Sequence, residues 1–521
     1  MRINRKEFSR RRAQLMRDME DNSIAILPSA TMKCRNRDTD YAFRQDSDFL
    51  YLTGFEEPDA VAVLIPGREH GEYIIFCRER NPEKEIWDGY MAGPEGACKK
   101  FGAEDAFPIS CIDDILPGLI EGRERLYYNM GGDADFDRMV MEWVNTIRSK
   151  ARSGAHPPGE FISLDLLVHE MRLFKSSAEV KVMQEAAEIS AGAHCRAMKI
   201  CQEGMTEYQL EAEYLHEFAR HGAQSPAYTS IVGSGKNACI LHYIENTARL
   251  KSGDLVLIDA GCELDYYASD ITRTFPVNGR FTEAQKIIYE LVLKAQLAAI
   301  EKIKPGNTWN QPHEKTVEII TAGLLELGIL KGDIKTLIAE EGYKKFYMHR
   351  AGHWLGMDVH DVGDYKVNDC WRILEPGMVL TVEPGIYIAP GAEGVAKKWQ
   401  GIGVRIEDDV LVTRAGYKVL SSDAPKTVKD IEKIMRRRKK PVVKKQERTL
   451  PVKSKAKSKV KSKPKVKPKV KPNVKPNVKV KVKVKTKPKV KTTTKSKSKV
   501  VKEKTVRKKV APKAGLTRKV K

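Results

Sequence analysis

The sequence contains no CxxC pair, and its nine cysteines are scattered singly from Cys34 to Cys370. That fits no disulfide framework and points to a reducing, cytoplasmic setting. Long apolar runs are also missing. The longest, such as Ala60 to Ile65, fall far short of the ~20 residues that cross a bilayer, so no membrane segment is expected. Met1 to Asp21 is basic, but it carries Glu7, Asp18, Glu20 and Asp21 and has no apolar stretch, so it reads as an amphipathic first helix and not an export signal. From Arg436 to Lys521 there is no aromatic residue, and Leu450 and Leu516 are the only leucines. Such a segment buries too little apolar surface to offset its chain entropy, which excludes a single basic domain and predicts a disordered tail.

What is present divides sharply by charge. The 521 residues carry +23 overall, yet the segment 436–521 holds 38 Lys+Arg against Glu447 and Glu503. The first 435 residues are left with 54 basic and 67 acidic side chains, an acidic body attached to a polycation. Within the tail, Lys463-Pro464-Lys465-Val466 begins a four-residue repeat that runs to Val478. Proline every fourth residue and lysine self-repulsion favour extended chain. Lysines without interleaved aromatics offer point charges to phosphates, so sequence-blind, salt-sensitive binding to nucleic acid is one expectation; a solvated charge run, or one that folds back on the acidic body, is the other.

Residues 1–174 show short apolar runs of strand length at Ile24–Leu27, Ala60–Ile65 and Tyr73–Cys77 between turn-forming stretches, as in an α/β domain. A second domain, 175–435, opens on the capping-box pattern Ser176-Ser177-Ala178-Glu179 before a long helical stretch that Gly204 ends. Helices are also expected over Thr206–His221, Thr282–Ile303 and Trp309–Leu327. Between them lie glycine-bounded β-rich runs, giving an α+β class. Two of these runs echo each other. Gly253 to Asp259 and Gly377 to Glu383 each pass from glycine through an apolar strand to a carboxylate six positions on, as a duplicated half-domain would.

Carboxylates inside apolar runs are costly unless a cation lies beside them. Asp259, Asp270, Glu383 and Glu407 all occupy such positions. Arg273 and Arg405 can neutralise two of them in an ordinary ion-pair network. The segment His349 to Asp361 adds His349, His353 and His360, with Gly352 and Gly356 arguing against a helix. A strand or irregular hairpin is expected there, with the odd–even spacing sending His353 and His360 to different sides. Two Asp, two Glu and one His form a hard, oxygen-rich set suited to two divalent ions, Mn2+ before others, that hold a hydroxide at neutral pH and clamp a developing oxyanion.

The order Asp259, Asp270, His353, Glu383, Glu407 resembles the ligand set of the pita-bread metallopeptidases. His349 to Asp361 is similar to the signature of the proline-specific branch, with Arg350-Ala351 where that branch more often has glycine and a larger aliphatic residue. Arg35-Asn36-Arg37-Asp38, Phe43-Arg44-Gln45, Tyr51-Leu52-Thr53-Gly54-Phe55 and Ile86-Trp87-Asp88-Gly89 resemble the N-terminal domain of the aminopeptidase P family. The tail has no counterpart there. The resemblance implies Xaa-Pro aminopeptidase activity, an Xaa-Pro dipeptidase or a non-enzymatic polyanion binder on the same fold being the alternatives. It also implies a homodimer or homotetramer. Carried over by position, Asp270 and Glu407 bridge the ions, Asp259 serves the second, and His353 and Glu383 the first. Glu383 shuttles the proton, His360 stabilises the scissile carbonyl or the tetrahedral intermediate, and His242 assists near the substrate amine. His349 and Arg405 line the proline pocket, while Trp87 is either a rim residue facing a neighbouring subunit's site or a half-buried aromatic at the domain edge, and Asp38 carries the same two readings.

Overall fold

The computed structural model describes residues 2–436. The basic segment and its proposed disorder and nucleic-acid binding lie outside these residues but for Arg436.

The N-terminal region is built on a six-stranded sheet in the order Asp105–Pro108, Tyr73–Cys77, Val61–Leu64, Ser23–Pro28, Arg125–Tyr128 and Glu160–Ser163. Ser23–Pro28 runs antiparallel to Val61–Leu64 and parallel to Arg125–Tyr128. Period-two alternation decides the packing. Ile24, Ile26, Val63, Ile74 and Phe76 face the helices Ile112–Ile120 and Ala134–Ser149, meeting Leu116, Val140 and Ile147. Ala25, Leu27, Ala62, Leu64 and Ile75 point the other way, into a core shared with Phe8 and Leu15 of the first helix, Arg5–Asp18. That core continues through Val182, Met183 and Ala186 of the long helix Ser177–Ile200, so one apolar interior runs from the N-terminal region into the second one. The helix starts where its capping box requires. Ser176 accepts from the Glu179 backbone N–H while Glu179 accepts from that of Ser176.

In the second region, helices including Glu207–Arg220, Glu283–Ile300 and Gln311–Glu326 surround short antiparallel sheets. Leu255–Asp259 is the middle strand between Ile231–Ser234 and Thr272–Pro276, with Asp259 opposite Thr272. Val379–Val382 pairs with Asp408–Thr413, and Gly385–Ile388 with Ile402–Arg405. Glu383 and Glu407 therefore occupy the joints where each chain passes from one two-stranded pairing to the next. The two halves are stitched together by Glu407 N–H to the Thr272 carbonyl (3.1 Å) and Thr274 Oγ1 to the Arg405 carbonyl (3.0 Å).

Candidate active site

Four strand ends converge on one centre. Asp259 closes Leu255–Asp259, Asp270 sits two residues before Thr272–Pro276, and Glu383 and Glu407 come from the joints opposite. One ligating atom from each of Asp270, His353 and Glu407 lies within 4.8 Å of the others. His353 Nε2 is 3.3 Å from Asp270 Oδ2 and 3.9 Å from Glu383 Oε1. Arg405 Nη2 donates to Asp259 Oδ2 at 2.6 Å, and Arg405 Nε to Thr272 Oγ1, whose hydroxyl donates to Glu407 Oε2 at 2.7 Å.

The centre carries more negative charge than its own residues offset. Burial, then the charge of Asp270, raises the Asp259 carboxyl to about 6; burial also raises Glu383 to about 7 and pushes Glu407 well up. Burial works against His353, yet its contact with Asp270 prevails and lifts the imidazole to about 9 while lowering Asp270. The Tyr228 hydroxyl makes the surplus concrete, because it lies 2.5 Å from both Asp259 Oδ1 and Asp270 Oδ1 with one proton to give. Four crowded carboxylates and an imidazole, chemically hard and short of positive charge, fit divalent cations. His353 is already oriented as a ligand, since Nδ1 donates to the Trp354 carbonyl at 2.9 Å and leaves Nε2 toward the carboxylates.

Beside this cluster, His349 Nε2 and Arg405 Nη1 both meet the Tyr387 hydroxyl, at 2.9 and 3.1 Å. His349 Nδ1 is 3.6 Å from Glu383 Oε2, and Glu383 keeps 20% of its side chain exposed, so this flank is the accessible one. His242 is exposed and lies within electrostatic reach of both His349 and His360. Asp38 stands in the exposed turn between Cys34–Asn36 and Thr39–Asp40. Trp87 is 87% exposed on Pro82–Asp88, a helix that buries no residue. Neither joins the cluster within one chain by a hydrogen bond or ion pair among the described residues.

Two expectations are corrected. His353 and His360 do not diverge: their ring centroids are 4.3 Å apart. Alternation fails because His349–Asp361 is not a continuous strand but a chain of turns holding a single bridge, Trp354 to Leu380. Its glycines are required by close approach. A Cβ on Gly352 would lie 2.0 Å from the Thr381 carbonyl oxygen, and one on Gly356 2.0 Å from Asp361 Oδ2. Arg273 makes no ion pair with a cluster carboxylate among the described residues, reaching only the Glu407 backbone carbonyl. It binds Asp408 at 2.7 Å, where Lys426 also binds, and these cations outweigh burial to hold that carboxyl at about 2. Tyr228 and Tyr387 were not singled out from the sequence. Nothing local marks a tyrosine as facing carboxylates 31 and 42 positions away.

The family model for metallopeptidase family M24 matches residues 181–414, and that for the aminopeptidase P N-terminal domain matches residues 8–127. The Xaa-Pro aminopeptidase of Escherichia coli is 48% identical over 434 residues, 83% of this chain and 98% of that protein. The chain belongs to the Xaa-Pro aminopeptidases of metallopeptidase family M24. Like its family, it is a hydrolase with the pita-bread fold. The solved aminopeptidase PepP of Pseudomonas aeruginosa is 65% identical, superposing with a TM-score of 0.83 over 83% of this chain and 98% of that one. A zinc-substituted E. coli aminopeptidase P in complex with product is 47% identical, with a TM-score of 0.81 over the same shares. Among the described residues no helix is long and apolar enough to cross a membrane.

Proposed function

We propose that the protein releases the first residue of peptides with proline in second position, using two divalent ions, Mn2+ in the cell, held by Asp259, Asp270, His353, Glu383 and Glu407. The observation that carries this reading is the meeting of four carboxylates and one imidazole from both halves of the domain at a centre short of positive charge. The zinc-substituted relative supports divalent metal in such a centre. Bound ions supply an activated water and positive charge for the developing oxyanion.

The remaining work falls to the chain's own groups. Asp270 and Glu407 would be common to both ions, with Asp259 holding one and His353 and Glu383 the other. In hydrolysis the oxygen of water goes to the carbonyl carbon, and Glu383 takes a proton from that water and delivers it to the departing proline nitrogen. Burial pushes His360 below the usual histidine range, so its neutral ring donates an N–H to the tetrahedral oxygen. His242 assists on the side of the substrate amine. Proline offers no amide hydrogen to hold, so the ring must be recognised by shape, by His349 and Arg405 with Tyr387 between them.

The domains are taken as 1–174, 175–435 and 436–521, in a cytoplasmic enzyme whose cysteines form no disulfide among the described residues. The exposure of Ile86 (81%), Trp87 and Tyr90 (93%) supports a dimer or tetramer in which Trp87 and Asp38 face a neighbouring site. The basic segment binds nucleic acid without sequence preference. The central claim is tested by incubating purified protein with an Xaa-Pro-Xaa tripeptide and an Xaa-Pro dipeptide. Release of the first residue from the tripeptide, lost in Glu383→Ala, is expected. Cleavage of the dipeptide alone would establish a dipeptidase instead, and full activity of Glu383→Ala would remove the assignment.

A further inference from the structure

His360 makes no hydrogen bond of its own to another side chain among the described residues, so its aim is set by the backbone that carries it. That backbone, Met357 to Asp361, is gripped from the N-terminal region. Ser47 Oγ donates to Asp358 Oδ1 at 2.7 Å, and Arg44 Nη2 donates to the Met357 carbonyl at 2.9 Å. The central clamp is Arg172, on the helix Asp165–Leu173 that ends just before the catalytic domain begins. Its Nη1 donates to Asp48 Oδ1 at 2.7 Å, and its Nη2 to Asp358 Oδ2 at 2.8 Å and Asp361 Oδ1 at 2.6 Å. Asp358 and Asp361 flank His360 on both sides. Lys175 Nζ holds the other oxygen of Asp361 at 2.9 Å, and the Asp361 N–H donates to the Trp354 carbonyl.

Apolar packing anchors Met357 and Val359 but not Asp358 or Asp361. A cavity of about 460 Å³ borders the turn on the N-terminal side, lined by Ser47, Asp48, Arg172, Asp358 and Val362 among others. Arg172 is itself 2% exposed and offers a planar fork that reaches three carboxylates at once, which a lysine ammonium on a flexible stem cannot reproduce.

We infer that Arg172, by tying Asp48 of the N-terminal region to Asp358 and Asp361, is a positioning residue that fixes where the His360 imidazole stands over the metal centre. The N-terminal region is then part of the catalytic apparatus of its own subunit. This rests on the reading of His360 as the donor to the tetrahedral intermediate. A donor used only in the transition state, displaced by about 1 Å, costs up to ~100-fold in rate while leaving substrate binding in place.

The test is a double-mutant cycle on the metal-loaded full chain with an Xaa-Pro-Xaa substrate. Arg172→Lys keeps the charge and loses the fork; it is expected to lower kcat ~10-fold or more with KM unchanged. In a His360→Ala background the same substitution should have no further effect on kcat, because the group it positions is gone. Ser47→Ala, which removes one tie and no charge, should give a smaller kcat loss that also disappears in that background, and it serves if Arg172→Lys does not fold. Equal fold-losses with and without His360 would overturn the inference and leave Arg172 a structural ion pair. If His360→Ala alone has wild-type kcat, the reading of His360 fails instead, and the two failures are told apart within one set of rates.

Discussion

Tyr228→Phe removes a single oxygen from the centre, and the structure sets what should follow. The hydroxyl lies 2.5 Å from one oxygen each of Asp259 and Asp270, and burial holds the phenol far above its ordinary pKa, so it remains a neutral donor at every working pH. A hydrogen bond to a charged group is worth about 1.5–3 kcal/mol. Phenylalanine fills nearly the same volume, so the loss falls on the orientation of two ligand carboxylates and not on packing. That energy corresponds to roughly a 10–100-fold weakening of metal binding, the range for partners that orient metal ligands. The assay is a titration of chelator-stripped protein with Mn2+, followed by peptidase activity and by calorimetry. The apparent Kd for the ion should rise by roughly 10–100-fold, while kcat at saturating metal stays within a few-fold of wild type. Unchanged metal affinity would refute the argument. A kcat deficit that saturating metal fails to restore would show that the phenol acts in the chemistry and not in holding the ligands.

Chelation should abolish peptidase activity and also lower the melting temperature, because the ligands span residues 259 to 407 and an ion at 100 times its Kd stabilises the fold by about 2.7 kcal/mol; comparing Mn2+, Zn2+, Co2+ and Mg2+ on add-back ranks the metals, and a melting temperature indifferent to chelator would contradict the ligand set. His194 is fully buried between the Tyr214 hydroxyl (2.8 Å) and the Ala260 carbonyl (3.2 Å), and burial, then the charge of Arg273, depresses its pKa to about 3. The unfolded chain takes up this proton first as pH falls below about 6.5, so stability is lost between pH 6.5 and 3 at about 1.4 kcal/mol per pH unit. The advantage of wild type over His194→Asn in urea unfolding should therefore shrink by about 2–3 kcal/mol from pH 6.5 to 4.5, and a pH-independent difference would show that the folded state tolerates the charge. Truncation at Arg436 should leave tripeptide cleavage unchanged and abolish a salt-sensitive gel shift with arbitrary DNA; a shift that survives truncation or high salt would remove the nucleic-acid role.

Most of the elements were legible because their signals are local. The Ser176–Glu179 capping box, the short apolar run Ile24–Leu27 and the run from Gly253 to Asp259 each carry their own hydrogen-bonding or burial pattern within a few residues. An acid at the end of an apolar strand is already an anomaly in sequence, which is why Asp259, Asp270, Glu383 and Glu407 stood out without any contact being known. The same local logic misdirected the histidines. Alternation places side chains only where a strand exists, and the chain around His353 and His360 is shaped by glycines pressed against Thr381 and Asp361.

The sequence by itself determined the division between an acidic body and a polycation, the anomaly of Asp259, Asp270, Glu383 and Glu407 in apolar runs, and many of the helices and strands that bear them, since composition and short-range periodicity encode all of these. Only the tertiary structure decided which charge answers which. Arg405 reaches Asp259 across 146 positions, Arg273 turns away to Asp408, Tyr228 faces two aspartates, and Arg172 spans from Asp48 to the turn carrying His360. Partners so far apart along the chain leave no periodic trace. Their pairing is fixed by strand register and by a core shared between the N-terminal and catalytic regions, and such long-range packing exists only once the chain has folded.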